Sequence, residues 1–473
     1  MILADDLTGA LDTGVQFVRT GTEVEVYLSL DDAMTQNPGE SGNTRPKVNE
    51  YPQVDIRVIN TDTRHVSPEE ARMIVTSAIY AFRDCTHFYK KTDSCLRGNI
   101  GAELEALMEA TGTPALAFVP AYPALKRTTR GGFQYIDGQL IHQSPMANDP
   151  LNPITDSFIP SIIARQSKIP VRLVGTYPAG TDPAGTDPRG TDPESLVGTD
   201  PAGTDLAGTD PRGTDLILVF DGETSAHLSA TAKALLERGM LRVSAGCAGF
   251  AEALMGTLPF PQGDGDRNAF TPGDRLPILV VSGSVNPVSV GQVKAAMEND
   301  IPCFGVAEED LLKEGWLGSK NALSLAADCR RALQTRGIAV LGTDLAVGTH
   351  AVLGTDLAVD KTHSIAPSAP ANSQRIARQV ADGLGKITHG IVNETGPLNL
   401  VVFGGDTLLG IMKTLGIRSL RPLKELYPGV VLAKNKNSSS YHLNIITKSG
   451  AFGDRGLILA LEEFLRNRSA TDK

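Results

Sequence analysis

The sequence predicts an α/β protein of two domains with largely parallel sheets, and three observations lead to this prediction. Apolar runs typical of strands alternate along the chain with amphipathic stretches typical of helices. Polar or glycine-rich clusters come directly after several of these runs, as they do in the turns of parallel sheets. A segment rich in Pro, Gly and Asp, Pro259–Asp274, divides the chain, so we expect domains at residues 1–260 and 275–473.

The individual elements are predicted from the length and pattern of each run. The first strand is short, because only about four residues precede the paired acids Asp5 and Asp6. Further runs of strand length are Glu23–Leu28, Val54–Ile59, Ala115–Val119, Leu216–Phe220, Ile278–Val281, Leu398–Phe403 and His442–Thr447. Helical stretches are Pro68–Arg83, Ala102–Ala110 and Pro287–Glu298.

Composition and charge argue against several classes of protein. The 473 residues carry a formal net charge of −10, which disfavours binding to nucleic acid or to an anionic membrane. Five cysteines without CxxC spacing disfavour a disulfide framework or a zinc site. The chain opens with no signal-peptide pattern and has no apolar run near the ~18 residues of a membrane helix, so we expect a soluble, cytoplasmic protein. A homodimer is compatible with the sequence.

Two stretches of the chain are repetitive. From Gly175 to Asp215, a unit close to Gly-Thr-Asp-Pro-Ala/Arg recurs, and a unit of about 12 residues is duplicated within residues 339–363. The first stretch is dominated by Gly, Pro and Asp and cannot form a packed core, so we predict a flexible, low-complexity surface insertion. A structured calcium-binding repeat is the alternative, but it would need apolar positions at fixed offsets, which the unit lacks.

Charged residues cluster after the predicted strands of the first domain. Because the carboxyl ends of parallel strands meet at one edge of a sheet, we expect these clusters to converge. Arg and Lys bind carboxylates and Asp accepts hydrogen bonds from hydroxyls, so the mixture predicts a site for a polyhydroxy acid. The predicted substrate-binding residues are Asp5, Asp6, Asp12, Arg64, Lys91, Asp93, Ser94, Arg97 and Arg127.

The residues alone leave alternatives open. The charges could be solvated and form only local ion pairs. Asp6 or Asp93 could take a proton from a substrate hydroxyl, whereas Asp93 or Ser94 could instead cap the following helix. The polar segment at residues 148–157 follows no clear strand and receives less weight.

Three strand-to-helix junctions of the second domain are rich in glycine: Val280–Pro287, Val401–Thr407 and Ile445–Gly453. Glycine lets backbone N–H groups approach a phosphate, and a helix N-terminus adds a favourable dipole. Lys448 could neutralise a phosphate charge, and Asp406 could hold a magnesium ion. The GxxxxGK[ST] and GxGxxG patterns are absent, so neither a P-loop nor a standard dinucleotide fold is predicted.

These motifs together resemble the four-carbon acid sugar kinases, which comprise the 3-oxo-tetronate, D-threonate and D-erythronate kinases. The resemblance rests on ADDLTGALDTG, KKTDSCLRGNIGAEL, PAYPALKRTTRGG, VSGSVNPVS, FGGDT and KSGAFG, in that order, and covers nearly the whole chain except the repeats. It implies an N-terminal sugar-acid-binding domain and a C-terminal nucleotide-binding domain. It also implies ATP-dependent phosphorylation of the terminal hydroxyl of a four-carbon sugar acid, with Mg²⁺.

The resemblance also implies where the nucleotide is bound. Nucleotide contacts map to Ser282 or Ser284, to Gly404, Gly405, Asp406 and Thr407, and to Gly450, beside Lys448. Asp6, Asp93 and Arg97 are the expected catalytic residues.

This sequence departs from the family at three places. Asp406 stands where relatives often have Glu. The repetitive insertion at residues 175–215 lies where relatives have ordinary helix and strand, and the duplication within residues 339–363 precedes the FGGDT loop. A non-catalytic or decayed binding protein is therefore the alternative function. A nucleotide-dependent oxidoreductase is disfavoured by the missing GxGxxG pattern.

Overall fold

The chain folds into two compact units, Met1–Gly265 and Asp266–Lys473. The computed structural model describes residues 1–18, 22–35, 55–149, 152–176, 215–258, 260, 276–284, 286–343, 370–435 and 441–466. Most of the predicted flexible insertion at 175–215, and residues 344–363 of the duplication, lie outside these residues. Among the helices of the described part, none has both the length and the apolar character needed to cross a membrane.

The first unit is built on a parallel sheet of eight strands. In chain order, its strands and those of a small second sheet are β1 (Ile2–Ala4), β2 (Val24–Tyr27), β3 (Ile56–Asn60), β4 (Phe88–Lys91), β5 (Ala115–Val119), β6 (Arg127–Arg130), β7 (Phe133–Ile136), β8 (Gln139–Leu140), β9 (Val171–Val174), β10 (Leu216–Phe220) and β11 (Val243–Gly246). The large sheet runs β2-β3-β1-β4-β11-β5-β10-β9, with every neighbouring pair parallel. The small sheet, β6-β7-β8, is antiparallel.

Helices connect these strands and cover the sheet. They are α1 (Leu7–Val18), α2 (Leu30–Thr35), α3 (Pro68–Ala81), α4 (Ile100–Thr111), α5 (Ile159–Ala164), α6 (Ser225–Glu237) and α7 (Ala248–Met255). Local sequence explains several ends: Ser67 caps α3 just before Pro68, and Gly112 ends α4 in the left-handed region. The strands β5 and β10 are apolar and buried along their whole length, as in a sheet covered on both faces.

The second unit has a mixed sheet of seven strands. Its strands are β12 (Ile278–Ser282), β13 (Cys303–Gly305), β14 (Ile338–Gly342), β15 (Leu398–Phe403), β16 (Ser419–Tyr427), β17 (Val430–Asn435) and β18 (Leu443–Lys448). The order is β13-β14-β12-β15-β18-β17-β16; the first five strands are parallel, and β17 and β16 continue the sheet antiparallel. The helices are α8 (Pro287–Glu298), α9 (Glu308–Leu312), α10 (Lys320–Arg336), α11 (Pro370–Thr395), α12 (Gly405–Thr414) and α13 (Leu457–Arg466).

The predicted α/β class and the predominantly parallel sheets are confirmed. The strands Ala115–Val119, Leu216–Phe220 and Leu398–Phe403 and the helix Pro287–Glu298 have the predicted bounds. The first copy of the duplicated unit begins within β14, whose five residues are all buried. This part of the repeat therefore belongs to the core of the second unit.

Candidate functional site

Asp5 and Asp6 form the turn between β1 and α1. Asp6 Oδ1 accepts a hydrogen bond from the Gly9 N–H at 3.0 Å, and Asp6 Oδ2 accepts one from Thr8 Oγ1 at 2.7 Å. The Asp6 carboxylate therefore lies at the N-terminus of α1, where free N–H groups and the helix dipole favour negative charge. This places both acids at the carboxyl edge of the sheet.

Arg64 joins both acids from the loop after β3, the strand next to β1. Its Nε donates to Asp5 Oδ2 at 2.7 Å, and its Nη2 donates to Asp6 Oδ1 at 2.8 Å. The same Nη2 lies 3.6 Å from Asp93 Oδ1, in the loop after β4. The loops after β1, β3 and β4 therefore converge, as expected, and their buried or partly buried charges pair across loops.

Asp93 holds Arg97 through three hydrogen bonds. The Arg97 backbone N–H donates to Asp93 Oδ2 at 3.2 Å, and Arg97 Nε and Nη2 donate to the two carboxylate oxygens at 2.8 and 3.0 Å. The alternative that Asp93 or Ser94 caps the next helix is wrong, because α4 begins at Ile100 and its N-cap residue is Asn99. The Asp93 side chain is used to orient Arg97 instead.

Asp149 completes the environment of Arg97. Arg97 Nη1 donates to Asp149 Oδ2 at 2.8 Å, so this guanidinium contacts two carboxylates. The polar segment at 148–157 received little weight from the sequence because it follows no clear strand. The Asp149 side chain contacts a residue 52 positions earlier in the chain, so no local pattern could indicate this contact.

Lys91, at the end of β4, differs from the two arginines. Its side chain is only 5% exposed, yet among the described residues its Nζ makes no hydrogen bond and no close ion pair. A Cβ atom built on Gly9 would lie 2.7 Å from this Nζ, so glycine leaves room for the ammonium beside the Asp5–Asp6 turn. Lys91 is thus a buried cation whose N–H donors remain available for an anionic ligand.

The charges of the cluster shift one another's pKa values. Burial alone would raise the pKa of Asp6 and Asp93, but Arg64 and Lys91 beside Asp6, and Arg97 and Arg64 beside Asp93, hold both below their usual range. Burial would lower the pKa of Lys91, and the carboxylates of Asp5 and Asp6 raise it instead. At neutral pH the Asp6 and Asp93 carboxylates are therefore ionised beside the cationic Lys91, so acceptors and a free cation lie side by side.

A second buried network, of hydrogen bonds and one ion pair, stabilises the backbone that precedes the Asp5–Asp6 turn. Lys90 Nζ lies 3.1 Å from Glu103 Oε2, and Glu103 Oε1 is hydrogen-bonded to Thr63. Thr63 also bonds to Thr61 at 2.7 Å, and Thr61 Oγ1 donates to the Ala4 carbonyl at 2.8 Å. Burial is the main reason why the pKa of Glu103 is raised. This network fixes the backbone just before Asp5.

The remaining predicted residues of the first unit occupy different places. Asp12 is buried within α1, and the Ser94 carbonyl accepts a hydrogen bond from Gln134 Nε2 at 2.9 Å. Arg127 lies on β6, where its Nη1 donates to the Leu125 carbonyl at 2.8 Å. The sequence pattern does not indicate Gln134, a residue of β7 whose side-chain amide donates to the Ser94 carbonyl.

Three glycine loops converge in the second unit. A Cβ built on Gly283 would lie 2.5 Å from Thr407 Oγ1, one on Gly404 would lie 3.7 Å from Ser284 Cβ, and one on Gly450 would lie 2.7 Å from Ser284 Oγ. The parallel order β12-β15-β18 places the ends of these strands next to one another. The N-termini of α8 and α12 begin at the same edge, which is an arrangement that favours anions.

The other predicted nucleotide-binding residues lie on these loops. Ser282 is buried at the end of β12, and Gly405 and the exposed Asp406 lie in the first turn of α12. Lys448 is fully buried at the end of β18 and donates to loop oxygens. Within the described part of the chain, no group of three or more His, Cys, Asp or Glu side chains forms a metal site. A lone Asp406 fits a magnesium ion held mainly by phosphate oxygens and water.

Two family models match the chain. One, described as a sugar-binding N-terminal domain, matches residues 1–254, and one, described as a nucleotide-binding C-terminal domain, matches residues 279–458. The first coincides with the unit that contains the acidic cluster. The second covers the three glycine loops.

Curated proteins are similar to the chain over nearly its whole length. A D-threonate kinase of Salmonella typhimurium is 29% identical over 96% of this chain and 95% of the relative. A D-erythronate kinase of Heliobacterium modesticaldum is 28% identical over 100% and 98% of the two chains, and a 3-oxo-tetronate kinase of Pseudomonas fluorescens is 25% identical over 96% and 94%. A crystal structure of a Haemophilus influenzae protein, with a TM-score of 0.61, 20% identity and coverage of 98% and 100%, shares the fold.

Proposed function

Because the chain belongs to the four-carbon acid sugar kinase family, we propose that it transfers the γ-phosphoryl group of ATP to the terminal hydroxyl of a four-carbon sugar acid. Candidate acceptors are 3-oxo-tetronate, threonate and erythronate. The observation that carries the proposal is the unpaired, buried ammonium of Lys91 beside ionised aspartates. A compact polyhydroxy acid needs both a cation for its carboxylate and acceptors for its hydroxyl groups. We also propose a cytoplasmic location, where ATP is available.

Each charged residue has a distinct role in this proposal. Lys91 binds the substrate carboxylate, because Arg64 and Arg97 already contact carboxylates of the protein. Asp5 and Asp6 accept hydrogen bonds from hydroxyl groups, and Asp6 accepts the proton of the reacting hydroxyl. Asp93 and Asp149 orient Arg97, whose remaining N–H groups stabilise charge on the transferred group. Phosphoryl transfer depends mainly on such positioning and charge stabilisation.

The glycine loops of the second unit would bind the nucleotide. Backbone N–H groups at the start of α8 and α12 suit the phosphates, with Ser284 and Thr407 beside them. Asp406 would hold Mg²⁺ together with phosphate oxygens, and the ion would neutralise charge on the phosphates. The two ligands therefore depend on different sets of residues.

An ADP-release assay tests the proposal. We expect turnover with at least one of D-threonate, D-erythronate, L-threonate and the 3-oxo-tetronates, and loss of turnover in Asp6→Asn. Equal rates in the wild type and in Asp6→Asn on every acid would contradict the proposal. Calorimetric binding of an acid without turnover would instead identify a non-catalytic binding protein.

A further inference from the structure

Lys448 places its amino group in the interior of the second unit, where burial lowers its pKa to about 7. The side chain is 0% exposed, and Nζ donates to Ser289 Oγ, Gln292 Oε1 and the carbonyls of Gly450 and Phe452 at 3.0, 2.8, 3.0 and 3.2 Å. In the described part of the unit, no carboxylate forms an ion pair with it. Burying a lysine side chain without an ion-pair partner costs free energy. We therefore expect its four hydrogen bonds to hold the surrounding backbone in one specific conformation.

That arrangement is the loop that follows β18. Besides the bonds to Lys448, Ser289 Oγ donates to the Gly450 carbonyl at 2.9 Å, and Gln292 Nε2 donates to the Phe452 carbonyl at 3.0 Å. Both carbonyls are thereby held toward the interior. Three buried polar side chains, two of them on α8, thus fix two alternate peptide groups of one short loop.

Inward carbonyls determine where the next N–H groups point. In a planar trans peptide, the C=O and the following N–H point in opposite directions. The N–H groups of Ala451 and Gly453 therefore point away from Lys448, and neither has an acceptor among the described residues. The Phe452 N–H between them donates to the Ser449 carbonyl, so the two free N–H groups alternate along the loop. Free backbone N–H groups of this kind can donate charge-assisted hydrogen bonds to an anion.

The position of the loop connects this anion site to the nucleotide. Gly450 approaches Ser284 so closely that a Cβ would lie 2.7 Å from Ser284 Oγ, and Ser284 in turn lies beside Gly404. We propose that Lys448 is a positioning residue that orients the Ala451 and Gly453 N–H groups toward the phosphates of the nucleotide. This inference rests on the proposed nucleotide-dependent function.

A direct contact between Lys448 and phosphate is a different role. An ammonium has three N–H bonds, and here four oxygens already receive them. Reaching a phosphate would require Lys448 to release the loop. Because Lys448 acts by orienting backbone N–H groups, it affects the binding of ligands that have phosphate groups and not of ligands that lack them.

Calorimetry of ADP and adenosine binding tests the inference. In Lys448→Met we expect the affinity for ADP to fall about tenfold or more, which is the usual cost of losing one hydrogen bond to a charged phosphate. The affinity for adenosine should change less than about twofold. Lys413→Met, at an exposed lysine of α12, is the matched control and should bind both as the wild type does. Ser289→Ala removes one tie to Gly450 and should weaken ADP binding in the same selective way, even if Lys448→Met does not fold.

The outcomes separate the two proposals. If the wild type binds ADP and both Lys448→Met and Ser289→Ala retain its affinity, the inference is wrong while the proposed function stands. An equal loss for adenosine and ADP in a folded variant would also overturn it, because that indicates general damage to the unit. A wild-type protein that does not bind ADP would overturn the proposed function itself and the inference with it.

Discussion

The ammonium of Lys91 lies among carboxylates but is paired with none of them, while Arg64 and Arg97 are already occupied. If Lys91 binds the carboxylate of the acid, Lys91→Met should raise KM for the best acid about tenfold or more, the usual cost of a charge-assisted hydrogen bond. Binding of the uncharged polyol of the same chain length should change little. Steady-state kinetics and calorimetry measure the two effects.

The control for Lys91→Met is the same substitution at an exposed lysine, Lys168→Met. It should leave KM unchanged. An equal loss of acid and polyol binding in Lys91→Met would show that the substitution disturbs the site in general. In that case the carboxylate would have to be bound elsewhere.

The ionisation of Asp6 depends on Arg64. The pKa of Asp6 is lowered from 3.8 because the attraction of Arg64 and Lys91 exceeds the effect of burial. This group therefore stabilises the folded state above about pH 4 and loses that effect as the pH falls through its lower folded value. If Asp6 accepts the substrate proton, kcat/KM of the wild type should show no decline from this group between about pH 5 and 8.

In Arg64→Gln, the decline of kcat/KM that protonation of Asp6 causes should move up into the pH range that can be measured. Without the guanidinium, burial dominates, so the pKa of Asp6 rises and kcat/KM falls at mildly acidic pH. Arg64→Lys retains a positive charge and should restore part of the plateau. A pH profile of Arg64→Gln that is lower but parallel to the wild-type profile would argue against Asp6 as the proton acceptor.

At the scale of elements, the site depends on how closely the loops after β3 and β4 pack. Gly98 has a φ of +88°, and a Cβ there would lie 3.1 Å from the Arg64 carbonyl oxygen. Gly98→Ala therefore combines left-handed strain with a clash against the residue that joins the acids. We expect urea unfolding to show a loss of more than the ~1–2 kcal/mol typical of such strain alone, with reduced activity.

Gly112→Ala is the matched control for that prediction. Gly112 also has a positive φ, of +65°, but a Cβ there would meet no atom within 4 Å. It ends α4, far along the chain from the loop that contains Arg97. The variant should lose only about 1–2 kcal/mol and keep its activity. Similar activity in the two variants would show that the approach of the loops is unimportant for catalysis.

The elements of this protein were more predictable than the contacts between them. Strands such as Leu216–Phe220 are continuous apolar runs, and their bounds follow from composition. Asp149 and Gln134 had no comparable signal, because each acts on a partner distant in sequence, Arg97 and the Ser94 carbonyl respectively. Such contacts depend on how loops are arranged, which residue patterns do not encode locally.

At the scale of the whole molecule, strand order decides which motifs meet. The sequence indicated three glycine loops but not that β12, β15 and β18 are neighbours, and only this order brings Gly283, Ser284, Gly404 and Gly450 together. Likewise, β3, β1 and β4 are adjacent although they come from distant parts of the chain. The carboxyl ends of parallel strands then make one polar cluster within each unit.

Because the two proposed sites use residues of different units, a substitution in one site should affect mainly the stabilisation by the ligand of that site. A ligand at about 100 times its Kd stabilises the native state by about 2.7 kcal/mol, so each ligand should raise the midpoint of thermal unfolding. Lys91→Met, measured at the wild-type ligand concentrations, should lose about half or more of the shift caused by the sugar acid, because a tenfold weaker Kd leaves about 1.4 of the ~2.7 kcal/mol. It should keep the shift caused by ADP. Lys448→Met should show the reverse pattern. Because each substitution lies within one unit, loss of both shifts in either variant would contradict the assignment of the acid to the first unit and the nucleotide to the second.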